Sequence, residues 1–224
     1  MGCAWDRART AILAAAERLY ADRGFGDVTL RDIVAEANVN LAAVNYHFGS
    51  KDELIAELFV TRSLALNRER LRELKAAEEK GGGTADISDV LRALVGPTLR
   101  GCLGPDNQRS VAARFMIRVS IESVPAIRRI RNREIDHLRK FIAAMRHSLP
   151  GHGDVELYWG LHFALAMAQQ TVRDSERLTK LSDGKCDVDD VEGIIERVVA
   201  VAVMGLMGKE ARSKAPALSA RDAR

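Results

Sequence analysis

An all-α fold follows from three features of the sequence. Apolar residues recur every three or four positions through most of the chain, no segment alternates apolar and polar residues as a half-buried strand would, and the interruptions fall at glycines and prolines. These breaks delimit about nine helices in 224 residues. With 47% apolar and 29% charged residues, 17 Gly and 5 Pro, the composition is that of a packed globular protein.

The first helix runs from Arg7 to Arg23, with Ile12, Ala16, Leu19 and Tyr20 on one stripe, and Gly24 ends it as a left-handed cap would. Thr29 can cap a short second helix that carries Leu30, Ile33, Val34 and Ala37, and Asn38 tolerates the left-handed turn that follows. After Asn40, another N-cap, a third helix of about two turns spans Leu41 to Phe48 and stops at Gly49. Ser50-Lys51-Asp52-Glu53 reads as a capping box, in which Ser50 and Glu53 satisfy each other's free N–H groups. It opens a fourth helix that continues to about Lys80 and breaks at Gly81-Gly82-Gly83. Further helical patterns cover 87–103, 107–122, 124–148, 154–182 and 188–207. Residues 209–224 are charged and Ala-rich with no apolar face, and are expected to be a disordered tail. The expected organisation is therefore a small N-terminal domain over 1–51, a helical body over 52–208 and the tail.

Composition also narrows the function classes. The net charge is +3, but residues 1–51 hold six basic and six acidic residues, so bulk charge does not argue for nucleic acid and placement must. Cys3, Cys102 and Cys186 are odd in number and far apart, which gives neither a disulfide framework nor a paired metal or redox site. The five histidines lack paired metal-ligand spacing, and Gly81-Gly82-Gly83 lacks the Lys-Ser/Thr of a phosphate loop. The longest apolar run, Val198 to Gly208, is too short to cross a hydrocarbon layer of about 30 Å. A cytoplasmic protein without cofactor, metal or membrane partner is expected, and since no acid, base and nucleophile cluster in the sequence, not an enzyme.

Two short helices joined by a tight turn, the second only two turns long, form the pattern of a DNA-reading helix-turn-helix. Within Leu41 to Phe48, Val44 and Phe48 stand at i and i+4 and can face a core, which leaves Leu41, Ala42, Ala43 and Asn45 outward. Small alanines permit close approach to thymine methyls, and Asn45 offers a donor and an acceptor to a base edge or a phosphate. Around this face Thr29, Tyr46, His47 and Lys51 are suited to phosphates. Arg31 and Asn40 complete the expected DNA-binding set.

Residues from about Arg9 to Phe59 resemble the TetR family of transcriptional regulators. The match is tightest over Val39-Asn40-Leu41-Ala42-Ala43-Val44-Asn45-Tyr46-His47-Phe48-Gly49-Ser50-Lys51, where the family places its recognition helix and the following turn. The resemblance implies a three-helix DNA-binding domain continuous through the fourth helix with a ligand-binding and dimerising domain. By position it implies phosphate contacts from Thr29, Tyr46, His47 and Lys51 and base contacts from Leu41, Ala42, Ala43 and Asn45. Asn38 stands where the family commonly has glycine. Beyond this N-terminal part the chain matches the family only in helix number and length.

The body offers a partner and a ligand. Apolar residues surround the final helix, and Leu161, Ala164, Leu165 and Ala168 accompany Ile194, Ile195, Val198, Val199, Ala202 and Leu206, so burial against a second subunit is expected. The family implies a ligand pocket, for which the candidate lining residues are Arg114, Phe115, Arg118, Phe141, Met145, Tyr158, Trp159, His162, Phe163 and Met167, with Met116 and Gln169 beside them. Most aromatic and Met residues at helical spacing are plain core. Arg128, Arg129, Arg131 and Arg133, beside Glu134 and Asp136, read as a solvated face, with an anion or acyl-CoA phosphate site as the alternative. The expected function is a repressor that binds a palindromic operator in double-stranded DNA as a homodimer and is released by a small, apolar or acyl-type effector. The alternatives are an activator, a regulator switched by a protein partner and, furthest off, a helical enzyme.

Overall fold

The computed structural model describes residues 2–103 and 110–208. Its helices are α1 (Gly2–Arg23), α2 (Leu30–Ala37), α3 (Leu41–Phe48), α4 (Lys51–Lys80), α5 (Ile87–Cys102), α6 (Val111–Ile121), α7 (Pro125–Arg133), α8 (Asp136–Ser148), α9 (Asp154–Arg173), α10 (Ser175–Leu181) and α11 (Val191–Met207). There is no strand among the described residues.

Among the described residues eleven helices replace the roughly nine expected, because two long patterns each bend once. The 124–148 segment turns at Glu134 (φ −86°, ψ 63°), and the 154–182 segment turns at Asp174 (φ −132°, ψ 26°); neither site holds a Gly or Pro that would mark it in the sequence. Conversely Pro97 sits inside α5, where its missing N–H leaves one turn open without ending the helix. The expected 209–224 tail and the Gly104-Pro105 break lie outside the described residues.

The local signals at the N-terminus act as read. Asn38 adopts the left-handed conformation (φ 52°, ψ 48°) and caps α2, and the Asn40 side chain accepts from the Ala43 N–H at 2.9 Å to start α3. The Ser50 cap differs in one bond: Ser50 Oγ accepts from the Glu53 N–H as expected, but the Glu53 carboxylate takes the Ser50 hydroxyl rather than its N–H, which bonds the Phe48 carbonyl.

Two apolar cores organise the chain. The first gathers Ile12, Ala16 and Tyr20 of α1, Ile33 of α2, Val44 and Phe48 of α3 and Leu54, Ile55, Leu58 and Phe59 of α4; it is completed by Phe115 and Val119 of α6. The second is built from α5, α8, α9 and α11 and includes Leu91, Leu94, Leu99, Phe141, Met145, Leu157 and Ile195. Met116 packs against both. Helix α6 thus belongs to the body by chain position and to the N-terminal core by packing. Phe115 is fully buried with its ring 5.7 Å from that of Phe25, edge to face. Phe115→Ala should therefore lower stability by about 3–5 kcal/mol, the usual cost of emptying a buried aromatic site, read as a lower urea midpoint with an unchanged slope.

Candidate nucleic-acid interface and ligand cavity

Helix α3 is held by one face. Val44 and Phe48 are buried, whereas Leu41, Ala42, Asn45 and Tyr46 are exposed, and Ala43 and His47 are half-buried. Tyr46 is the most open of these, at 74% exposure. The residues assigned to bases and the Tyr46 phosphate candidate therefore share one outward surface, with Arg31 and Asn40 exposed beside it.

Two phosphate candidates already have work inside the protein. The Thr29 hydroxyl bonds the Asp32 carboxylate at 2.6 Å, in a capping box that also holds the Asp32 pKa below the ordinary value. The Lys51 ammonium donates to the Phe25 carbonyl at 2.6 Å and lies over the Tyr20 ring. An ammonium has three donors, so this bond leaves two for another acceptor.

The α1–α2 turn is clamped from both sides. Lys51 at the start of α4 holds the Phe25 carbonyl, and Glu122 at the end of α6 accepts from the Phe25 N–H at 2.8 Å. Gly24, at φ +86°, makes this approach possible, because a Cβ there would sit 2.5 Å from the Glu122 carboxylate. Arg114 pairs with Asp22 at 2.9 Å, and Arg118 reaches the Ala21 and Asp22 carbonyls. These two arginines, taken from the sequence as pocket candidates, instead fasten α6 to α1.

A cavity of about 340 Å³ lies between the two cores. Its walls are Phe59, Leu66, Asn67 and Arg70 of α4, Pro97, Thr98 and Cys102 of α5, Ala112, Met116 and Ser120 of α6, Ile130 and Arg131 of α7, His137 and Leu138 of α8, and Leu165 and Gln169 of α9. None of the ten pocket residues expected from the sequence lines it. Phe115, Phe141 and Met145 are core, and Met167 packs against the body core. Tyr158, Trp159 and Phe163 are about half exposed, and His162 is exposed beside them. Met116 and Gln169 do reach the cavity, and Arg131 is the one member of the basic run to do so.

Sequence reasoning missed the polar end. Arg70 is 8% exposed; its Nη2 donates to Thr98 Oγ1 at 2.7 Å and its Nη1 to Asn67 Oδ1 at 3.3 Å. Asn67 Nδ2 in turn lies 3.4 Å from His137 Nδ1. The signal was present, since Arg70 stands four residues from both Leu66 and Leu74 on the buried stripe of α4, where a charge is out of place. Burial and then the neighbouring Arg131 push the Arg70 pKa down to about 10, which leaves it charged at neutral pH. Burial and then Arg70 push His137 down to about 4, and burial raises the Cys102 thiol to about 11. Among the described residues no group of three metal-ligating side chains forms, and no helix is long and apolar enough to cross a membrane.

Residues 12–58 match the family model described as bacterial regulatory proteins, tetR family, and residues 92–205 match the one described as tetracyclin repressor-like, C-terminal domain. The chain belongs to the TetR family of transcriptional regulators. As a member of this family the protein is a transcriptional regulator. An HTH-type transcriptional repressor of Mycobacterium tuberculosis is 44% identical over 50 residues, which is 22% of this chain and 27% of that protein. Two solved structures share the fold. FadR from Bacillus subtilis in complex with stearoyl-CoA is 15% identical at a TM-score of 0.59, over 88% of this chain and 98% of that one. NalD of Pseudomonas aeruginosa, the secondary repressor of the MexAB-OprM multidrug efflux pump, is 18% identical at 0.59, over 89% and 95%.

The depressed His137 pKa fixes the sign of one pH effect. Between the ordinary 6.5 and about 4 the unfolded chain binds a proton that the folded one refuses, so His137 makes stability fall as pH drops through that window. Urea midpoints across the window should decline less steeply in His137→Gln than in the parent TetR-family protein; equal declines would remove His137 from the account.

Proposed function

We propose that the protein is a homodimeric repressor that binds a palindromic operator and is released when a small, largely apolar effector fills the cavity. The observation that carries this reading is the double duty of α6. One side of α6 presents Ala112, Met116 and Ser120 to the cavity, while Phe115, Arg114 and Glu122 hold α1 and its turn. An effector that moves α6 moves the seat of the helix-turn-helix. Helix α4 extends the same link, since it begins directly after α3 and lines the cavity farther along. For release to follow, the effector must bind the DNA-incompetent arrangement more tightly, and the coupling equals that difference.

The dimer is proposed from an exposed apolar face on the two helices named from the sequence, through other residues of those helices. Leu161, Ala164, Ala168, Ile194, Ile195, Val198, Val199, Ala202 and Leu206 are buried within the subunit's own core. The opposite side of α9 exposes Val155, Tyr158, Trp159 and Phe163, with the Trp159 and Phe163 rings stacked at 5.3 Å, and α11 exposes Val201, Met204 and Met207. Large side chains collected on adjacent helices mark an interface, and two-fold pairing there would set two α3 helices against two half-sites. In this reading residues 1–51 read DNA and 52–208 bind the effector and the partner subunit. Leu41, Ala42, Ala43 and Asn45 meet bases. Thr29, Arg31, Asn40, Tyr46, His47 and Lys51 meet the backbone, with Thr29 acting through the N–H groups that begin α2.

Selection of duplexes from a random pool by the purified full-length protein, repeated at several salt concentrations, tests this. An inverted repeat should be enriched; no enrichment at any salt would overturn it. On the enriched duplex, Lys51→Ala should weaken binding at every sequence and reduce the slope of log K against log salt by about one. Weaker binding with an unchanged slope would mean that Lys51 acts only through its bond to the Phe25 carbonyl.

A further inference from the structure

The cavity has an apolar length and one charged end, and no carboxylate among the described residues neutralises the charge. Arg70 uses two of its five N–H groups on the neutral oxygens of Asn67 and Thr98, its Nε has no acceptor, and no described carboxylate lies within ion-pairing distance. The described carboxylate that does line the cavity, Glu134, forms no bridge with it. Other charges nearby are accounted for: Arg62 is spent on Glu17, and Arg100 on Glu73 and Glu192. Arg131 adds positive potential at the same end.

The hydrogen bonds there are also ordered. With Asn67 Oδ1 accepting from Arg70, its Nδ2 faces His137 Nδ1, which must then be the acceptor, so the proton of the neutral imidazole resides on Nε2. The cavity wall thus includes a guanidinium and a neutral imidazole, with no anionic acceptor for the guanidinium among the described residues. A buried charge held only by neutral groups is costly, and an anion supplied from outside removes that cost while gaining charge-assisted bonds. The planar guanidinium fork matches a carboxylate.

We infer that the effector is an amphipathic monocarboxylate, whose head group pairs with Arg70 and whose apolar body lies along Phe59, Leu66, Met116, Ile130 and Leu165. This deepens the effector-site reading of the cavity and rests on it. At protein-like packing density about 340 Å³ accommodates roughly fifteen non-hydrogen atoms. A straight-chain acid of middle length fits this space.

Dodecanoate, 1-dodecanol and dodecylammonium, used below micelle-forming concentrations, share one tail and differ in the charge of the head. Calorimetric titration of the full-length protein should rank dodecanoate first by about 10- to 100-fold, the range expected for bonds to a charged partner, with dodecylammonium last. Arg70→Met should abolish the preference of dodecanoate over dodecanol while raising the melting temperature of the ligand-free protein, because an uncompensated charge has been removed. Arg70→Lys should restore part of the preference. Equal affinity of dodecanoate and dodecanol for the parent protein would overturn the inference and leave an apolar effector site intact, and so would an Arg70→Met variant that melts lower and keeps the preference. Binding of none of the three overturns it as well. Tight, Arg70-dependent binding of dodecanoate that leaves operator affinity unchanged would uphold the carboxylate site and refute its role in release.

Discussion

The arrangement turns on how α6 is seated against the turn between α1 and α2. That turn is short, passes through the left-handed Gly24 and is gripped at one residue, Phe25, by Lys51 from α4 and Glu122 from the end of α6. Phe115 fills the core beneath it, and Arg114 and Arg118 hold its flank. The helix-turn-helix has little interior of its own, since α2 and α3 are eight residues each. It is seated on α1 and α4, and α1 in turn packs on α6. Helices α4 and α6 also wall the cavity.

The second constraint is electrostatic. A helix that carries Leu66, Leu74 and a buried guanidinium on one stripe gives up stability at Arg70, because neutral partners compensate a desolvated charge poorly. Thr98 and Asn67 keep it hydrogen-bonded, and its field together with burial keeps His137 neutral. Ordinary packing would place Leu or Met there. The cavity beside this charge is lined also by Met116 and Ser120 of α6.

Legibility in the sequence divided along the same line. The N-terminal elements could be read because short-range chemistry fixes them: Thr29, Asn38, Asn40 and Gly49 each act through bonds within a few residues. The two bends at Glu134 and Asp174 left no such mark, since neither position holds a Gly or Pro. The cavity could not be assembled from periodicity, because its walls come from six helices and its polar end from residues 67, 70, 98 and 137. Aromatic content pointed instead to Tyr158, Trp159 and Phe163, which lie on an outer face. What the sequence did hold was Arg70 on an apolar stripe, a local inconsistency of the kind that functional sites produce.

The central claim is that whatever fills the cavity is felt at the recognition helix through α6. It can be tested without any effector by filling the cavity from within, with Ala112→Phe on the cavity wall of α6. Operator affinity of this variant, measured by fluorescence anisotropy at fixed salt beside the parent protein, should fall about 10-fold, within the usual range of coupling between sites. An Ala112→Phe protein that unfolds cooperatively, keeps its assembly state and binds the operator with unchanged affinity would contradict the account.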